Sequence, residues 1–187
     1  MSARPIPPRP GQGARARRLA EILRVDHAGE LAAVQIYRGQ RAVLDGASGR
    51  ERIAADLAEM EGHEAVHLAR FDALLTETRT RPTLMAPLWR AAGFALGAGT
   101  ALLGEKAAHA CTEAVESVIE DHYAGQVAEL ADREPALAAE LAQFRDEELA
   151  HREHAVAEGA HEAPGYGVLA AVIRAGCKAA IRISEKI

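Results

Sequence analysis

Residues 63–67 read HEAVH and residues 148–151 read ELAH. How the first is read decides the fold. Taken alone, HEAVH matches the H-E-x-x-H pattern, in which one helix gives a zinc hydrolase two histidine ligands and a glutamate base. Set beside the second, it gives a different motif: E-x-x-H twice, as Glu64…His67 and Glu148…His151. Residues three apart share a helical face, so each copy presents a carboxylate and an imidazole side by side.

The repeat extends upstream. Glu30 is followed by Tyr37-Arg38-Gly39-Gln40 and Glu116 by Tyr123-Ala124-Gly125-Gln126, both reading E-x6-Y-x-G-Q. Each half therefore runs from a lone Glu on one helix to E-x-x-H on the next. Each tyrosine lies two turns past its Glu on the same face. Four helices contributing Glu, Glu/His, Glu and Glu/His are the ligand set of ferritin-like di-iron and di-manganese carboxylate bundles. Four carboxylates balance two divalent ions. Hard oxygen ligands with one imidazole per ion suit iron or manganese. Without metal they would form a costly buried cluster of like charges.

The zinc reading loses ground on this comparison. In the second half Glu147 stands where His63 stands in the first, so His63 need not be a ligand. The extended H-E-x-x-H-x-x-G-x-x-H pattern also fails, because Arg70 and Ala73 occupy its Gly and His positions.

Composition agrees with a helical bundle. The chain has 187 residues, room for one domain with a sizeable core. Hydrophobic residues make up 49% but aromatics only 4%, which favours helices packed through small residues over a sheet. A formal net charge of −5 gives no reason to expect a nucleic-acid partner. Cys111 and Cys177 form no C-x-x-C pair and read as buried thiols.

Residues 1–18 carry five Arg and four Pro and no acid. They read as a disordered basic tail, with residues 19–187 as a single domain. Five helices are expected: about Ala14–Leu44, Arg50–Thr78, Thr100–Ala131, from Pro135 to about Gly159, and 166–186. Between the second and third lies LMAPLWRAAGFALGAGTALLG, residues 84–104. It is too interrupted for a membrane span and too apolar for an ordinary loop. It reads as the long crossover of the bundle, packed on the core, or as a surface lying on a membrane with Trp89 at the headgroups. In the last segment Arg174, Lys178 and Arg182 fall four apart, a cationic stripe beside an apolar face.

ILRVDHAGELAAVQIYRGQ (22–40), EAVHLARFDALL (64–75), CTEAVESVIEDHYAGQ (111–126), FRDEELAHREH (144–154) and AAVIRAGCKAAIRISEKI (170–187) resemble the demethoxyubiquinone hydroxylase family of ubiquinone biosynthesis. The resemblance covers nearly everything after the basic tail. It implies an all-α, ferritin-like antiparallel four-helix bundle with an apolar crossover and an additional C-terminal helix. It implies an O2-dependent di-iron monooxygenase that hydroxylates the ring of a polyprenyl demethoxy-benzoquinol. By position, the ligands of its two iron ions are Glu30, Glu64, His67, Glu116, Glu148 and His151. Glu61 and Glu147 are also acids near these positions, and the choice of Glu64 and Glu148 rests on the histidine three residues on.

In this family the pair matching His122-Tyr123 is thought to assist electron delivery, and NADH or the quinol itself is the implied reductant. Tyr37 and Tyr123 face the metals and offer hydrogen bonds or electrons; an ordinary core tyrosine is the alternative for each. His122 is off that face. His27 either backs a ligand, caps a helix N-terminus or lies at the surface, and His63, His109, His154 and His161 read as structural.

A bilayer substrate implies peripheral membrane association through 84–104 and 166–186. The location would be the inner face of a bacterial cell membrane, or the matrix side of the mitochondrial inner membrane in a eukaryote. A lipid-binding partner protein and a homo-oligomer are further expectations. Within the same fold the competing readings are a rubrerythrin-like peroxidase, a manganese catalase or an iron-binding protein.

Overall fold

The computed structural model describes residues 12–187, so the first eleven residues of the expected basic tail lie outside the described ones. The elements are α1 (Gln12–Leu44), α2 (Glu51–Thr78), α3 (Ala86–Leu102), α4 (Glu105–Leu130), α5 (Pro135–Ala157), a 3-10 turn (Ala160–Glu162) and α6 (Tyr166–Ser184). No strand occurs among the described residues.

Four of these make the bundle. Contacts that climb α1 descend α2: Arg38 and Arg41 meet Glu61, while His27 meets Asp72. The same inversion relates α1 to α4, where Tyr37 meets Glu116 and Gln126 meets Asp26. α2 and α4 thus each run antiparallel to α1. Two apolar plugs close the interior. One gathers Ile22, Leu23, Phe71, Tyr123, Leu141 and Phe144; the other gathers Tyr37, Leu44, Ile53, Leu57 and Met60. Each such side chain contributes about 1.5–3 kcal/mol when fully buried. Glu30, Glu64, Glu116 and Glu148 occupy the levels between the plugs.

The structure corrects the expected organisation in three places. First, α1 includes Gln12–Arg18, residues that the sequence reading assigned to the tail. Arg18, placed in the tail by sequence, ties α1 to α4 and α6 through Glu129 at 2.9 Å and Glu185 at 3.2 Å. Second, residues 84–104 contain a sixth helix, α3, running parallel to α1. The glycines that made this segment look broken are its packing surface. A Cβ at Gly93 would lie 2.7 Å from the Ala32 carbonyl oxygen, and one at Gly97 would overlap that of Ile36. Gly39 of α1 meets the Phe94 backbone in the same way. Gly125, its partner in the repeat, has nothing near it, because no helix covers α4 there. Third, α4 starts at Glu105 rather than near Thr100, because Gly104, at φ 115°, makes a turn that residues with a side chain rarely adopt.

α6 packs Ala170 and Ile173 against Cys111 and Val115 of α4. Its amphipathic stripe is split. Arg174 turns inward to Glu113 at 2.6 and 2.8 Å and to Ser117 at 3.0 Å, while Lys178 and Arg182 stay exposed. Trp89 is only half buried, but its indole N–H donates to Ser184 Oγ at 2.9 Å, so that donor is used within the protein. Cys111 is buried as expected; Cys177 is only half buried. Among the described residues no helix is long and apolar enough to cross a membrane.

Candidate metal centre

The bundle brings the six repeat-derived residues to one place. Glu30, Glu64, His67 and Glu148 each offer a ligand atom, all within 4.8 Å of one another, and so do Glu64, Glu116, Glu148 and His151. Glu64 and Glu148 belong to both groups, so two adjacent sites share two carboxylates. All six are buried. His67 Nδ1 lies 3.2 Å from Glu148 Oε1 and 3.5 Å from Glu30 Oε2. His151 Nδ1 lies 3.3 Å from Glu64 Oε1 and 3.3 Å from Glu148 Oε2. Glu61 and Glu147 stand outside: Glu61 pairs with Arg38 and Arg41, and Glu147 meets the far side of His67.

The protein's own groups leave this cluster unfinished. Glu30 Oε2, Glu64 Oε1, His67 Nδ1, Glu116 Oε2 and Glu148 Oε1 are buried with no hydrogen-bond partner. Such atoms are costly unless something completes them. Burial pushes the carboxyls of Glu30, Glu64 and Glu116 up, and the neighbouring Glu148 charge adds to the shift. Burial opposes charge on His67 too, but Glu148 and Glu30 outweigh it and raise its pKa to about 11. Burial also acts on Glu148, yet His151 and His67 hold it below the usual carboxylate range. A cluster that retains protons and leaves five ligand atoms unpartnered suits a pair of divalent cations.

The two tyrosines exchange partners across the repeat. Tyr37 of α1 donates to Glu116 Oε1 of α4 at 2.9 Å, and Tyr123 of α4 donates to Glu30 Oε1 of α1. Burial, and then these carboxylates, push both phenol pKa values well above 10, so both remain donors. His122 points away from the cluster. Its Nε2 lies 2.9 Å from Gln126 Nε2 and 3.5 Å from Asp26 Oδ1, and its side chain is partly exposed. His27 Nε2 lies 3.0 Å from Asp72 Oδ1, an exposed carboxylate. Of the remaining histidines, His109 packs on His154, and His161 packs on Tyr166.

Sequence reasoning missed the outer contacts. His63, set aside as structural, reaches His151: its Nδ1 lies 3.0 Å from His151 Nε2. Glu147 Oε2 lies 2.7 Å from His67 Nε2. The signal was present, since 63 and 147 are the same position of the repeat, one residue before each E-x-x-H. Gln40 and Gln126, the last letters of the other motif, are buried as well. They donate to the Ala108 carbonyl at 3.1 Å and to Asp26 at 2.7 Å.

Beside the cluster lies a cavity of about 380 Å³ between α1, α3, α4 and α6. Its lining is almost wholly apolar and includes Ala33, Ile36, Leu96, Val115, Ile119 and Cys177. Ala33 and Ile119 stand one turn beyond Glu30 and Glu116, so the cavity borders the turns that carry these two carboxylates.

A family model described as "Ubiquinone biosynthesis protein COQ7" matches residues 17–184. A Rhodospirillum rubrum protein named 3-demethoxyubiquinol 3-hydroxylase is 51% identical over 178 residues, covering 95% of this chain and 82% of its own length. A Bos taurus protein, NADPH-dependent 3-demethoxyubiquinone 3-hydroxylase, mitochondrial, is 49% identical over 170 residues, covering 89% and 76%. A Saccharomyces cerevisiae protein, 5-demethoxyubiquinone hydroxylase, mitochondrial, is 39% identical over 189 residues, covering 93% and 80%.

Proposed function

We propose that this chain, which belongs to the ubiquinone biosynthesis protein COQ7 family, hydroxylates the ring of a polyprenyl demethoxy-benzoquinol, the reaction for which its Rhodospirillum relative is named. The observation that carries the reading is the pair of overlapping four-ligand clusters set beside an apolar cavity. Glu30, Glu64, His67, Glu116, Glu148 and His151 would hold two iron ions, which supply O2 activation when bound.

The chain's own residues do the rest. Tyr37 and Tyr123 hold Glu116 and Glu30 by hydrogen bonds and keep their protons while doing so. The apolar cavity excludes water and receives the quinol ring and the start of its prenyl chain. His122 is partly exposed and next in sequence to Tyr123, which touches Glu30; this pair is assigned to the inward passage of reducing equivalents. The reductant is a reduced nicotinamide or the quinol itself. The bovine relative's name specifies NADPH, where the resemblance implies NADH.

Leu84, Leu88 and Leu102 in or beside α3, and Val168 and Val172 on α6, are exposed. They support peripheral association with a membrane through 84–104 and 166–186, on the inner face of a bacterial cell membrane or the matrix side of the mitochondrial inner membrane. These exposed apolar residues also suit a lipid-binding protein that delivers the quinol, or a second copy of the chain.

The test is metal analysis of the purified chain, followed by an assay with reductant, O2 and a demethoxy-quinone. Two irons per chain and an O2-dependent hydroxylated product are expected. Zinc, or one metal per chain, overturns the reading. Peroxide turnover with no quinone requirement would transfer it to a rubrerythrin-like peroxidase or a manganese catalase.

A further inference from the structure

We infer that the two metal positions are unequal by construction: the ion held through His67 binds more tightly than the ion held through His151, because their outer nitrogens meet different chemistry. The inference rests on the dimetal reading above and concerns residues that are not themselves ligands.

The geometry of the two histidines is matched. Each turns Nδ1 toward the shared carboxylates and Nε2 outward. A histidine that binds a cation through Nδ1 must leave that nitrogen's lone pair free, so its one proton resides on Nε2 and is donated outward. For His67 the acceptor is the carboxylate oxygen of Glu147 at 2.7 Å. For His151 it is the imidazole Nδ1 of His63 at 3.0 Å, in a ring tilted only 9° from that of His151.

The acceptors come from one structural position. Residues 63 and 147 each precede the Glu of an E-x-x-H, and each serves the histidine of the opposite half. The fold provides the place twice and the sequence fills it with two chemistries. A carboxylate acceptor forms a shorter, charge-assisted bond. It draws the Nε2 proton outward and makes the imidazole a stronger donor to a cation at Nδ1. It also brings a negative charge near that ion. A neutral imidazole acceptor orients the ring without adding charge. Outer partners of this kind change metal affinity about 10- to 100-fold. The Glu147 side chain is 50% exposed, which screens its charge and places the expected difference at about tenfold.

The experiment is anaerobic titration of the metal-free, full-length chain with Mn2+, reading free Mn2+ by its electron paramagnetic resonance signal. Circular dichroism confirms that each variant is folded. Repulsion between the two cations would also split the binding steps, so the variants decide. Glu147→Gln keeps a hydrogen-bond acceptor but removes the charge; it should weaken the first step about tenfold and bring it close to the second. His63→Glu should tighten the second step by a similar factor, and His63→Gln should leave the gap in place. Two indistinguishable steps in the unaltered chain, or a first step unmoved by Glu147→Gln, or a second step unmoved by His63→Glu, overturns the inference. Uptake of fewer than two Mn2+ per chain removes the dimetal reading with it, whereas two ions bound without this ordering remove the inference alone.

Discussion

The Tyr37 hydroxyl lies 2.9 Å from Glu116 Oε1, reaching from α1 to α4, and Tyr123 reaches back to Glu30. The lone Glu of each half is therefore held by the tyrosine of the other. Replacing either tyrosine by phenylalanine leaves a buried carboxylate oxygen without its donor. The expected loss is about 1–3 kcal/mol of stability for the metal-free protein. Urea unfolding of Tyr37→Phe and Tyr123→Phe measures it. Similar losses in both are expected from the exchanged geometry; a silent Tyr123→Phe would contradict it.

The protonation of the cluster sets a pH dependence whose sign can be worked out. Glu30, Glu64 and Glu116 have raised pKa values, and His67 is raised to about 11 from 6.5. Their stabilising share is complete below the unfolded values, near 4.5 for the carboxyls and 6.5 for His67. It is lost as pH climbs through the folded ones. Glu148 is lowered and works the other way, losing its share as pH falls below 4.5. The metal-free protein should lose stability as pH rises from 5.5 to 8.5. Cations displace these same protons, so Mn2+ should bind more tightly over that range. Thermal unfolding with and without Mn2+ at three pH values gives the difference in midpoint. It should widen with pH, and a narrowing would refute this account.

The candidate ligand cluster was legible because residues that share one face of a helix must recur at fixed spacing. Glu64…His67 and Glu148…His151 could be matched by eye once the two halves were aligned, and Glu30 and Glu116 followed. The outer contacts were hidden for the converse reason. His63 and Glu147 differ in chemistry, so a comparison that seeks identity passes over them; only their shared geometry reveals a shared task. α3 was obscured by its glycines. In composition Gly93 and Gly97 dilute a helix, and only a second backbone at close range explains their use. Cys177 reads as core in sequence because nothing there marks a cavity, which is a property of four helices at once.

The close approach of α3 to α1 gives a packing test. A methyl group at residue 97 would collide with the Ile36 carbonyl, whereas Gly99, on the same helix, has nothing within 4 Å. Gly97→Ala should cost about 1–3 kcal/mol through forced separation of the helices. Gly99→Ala should gain about 0.5–1 kcal/mol from backbone entropy. Opposite signs in chemical denaturation are expected from residues two apart. A stabilised Gly97→Ala would mean that α3 is not seated on α1 as described.

The proposed membrane association draws on other residues of α3 and α6. Leu88 of α3 and Val168 of α6 are exposed and lie outside the cavity lining. Arg90, Lys178 and Arg182 are exposed nearby in sequence and would favour anionic headgroups. The unaltered protein should float with vesicles containing anionic lipid, and added salt should weaken this in part by screening the cations. Leu88→Glu combined with Val168→Glu places a charge among the exposed apolar residues of each helix and should leave the protein at the bottom of the gradient. Neither residue belongs to the proposed ligand cluster or the cavity lining, so on the dimetal reading metal content should stay at two ions per chain and a water-soluble short-chain quinol should still be turned over. Loss of flotation together with loss of metal would point to a folding defect. Flotation that survives both charges would place the membrane-facing surface elsewhere.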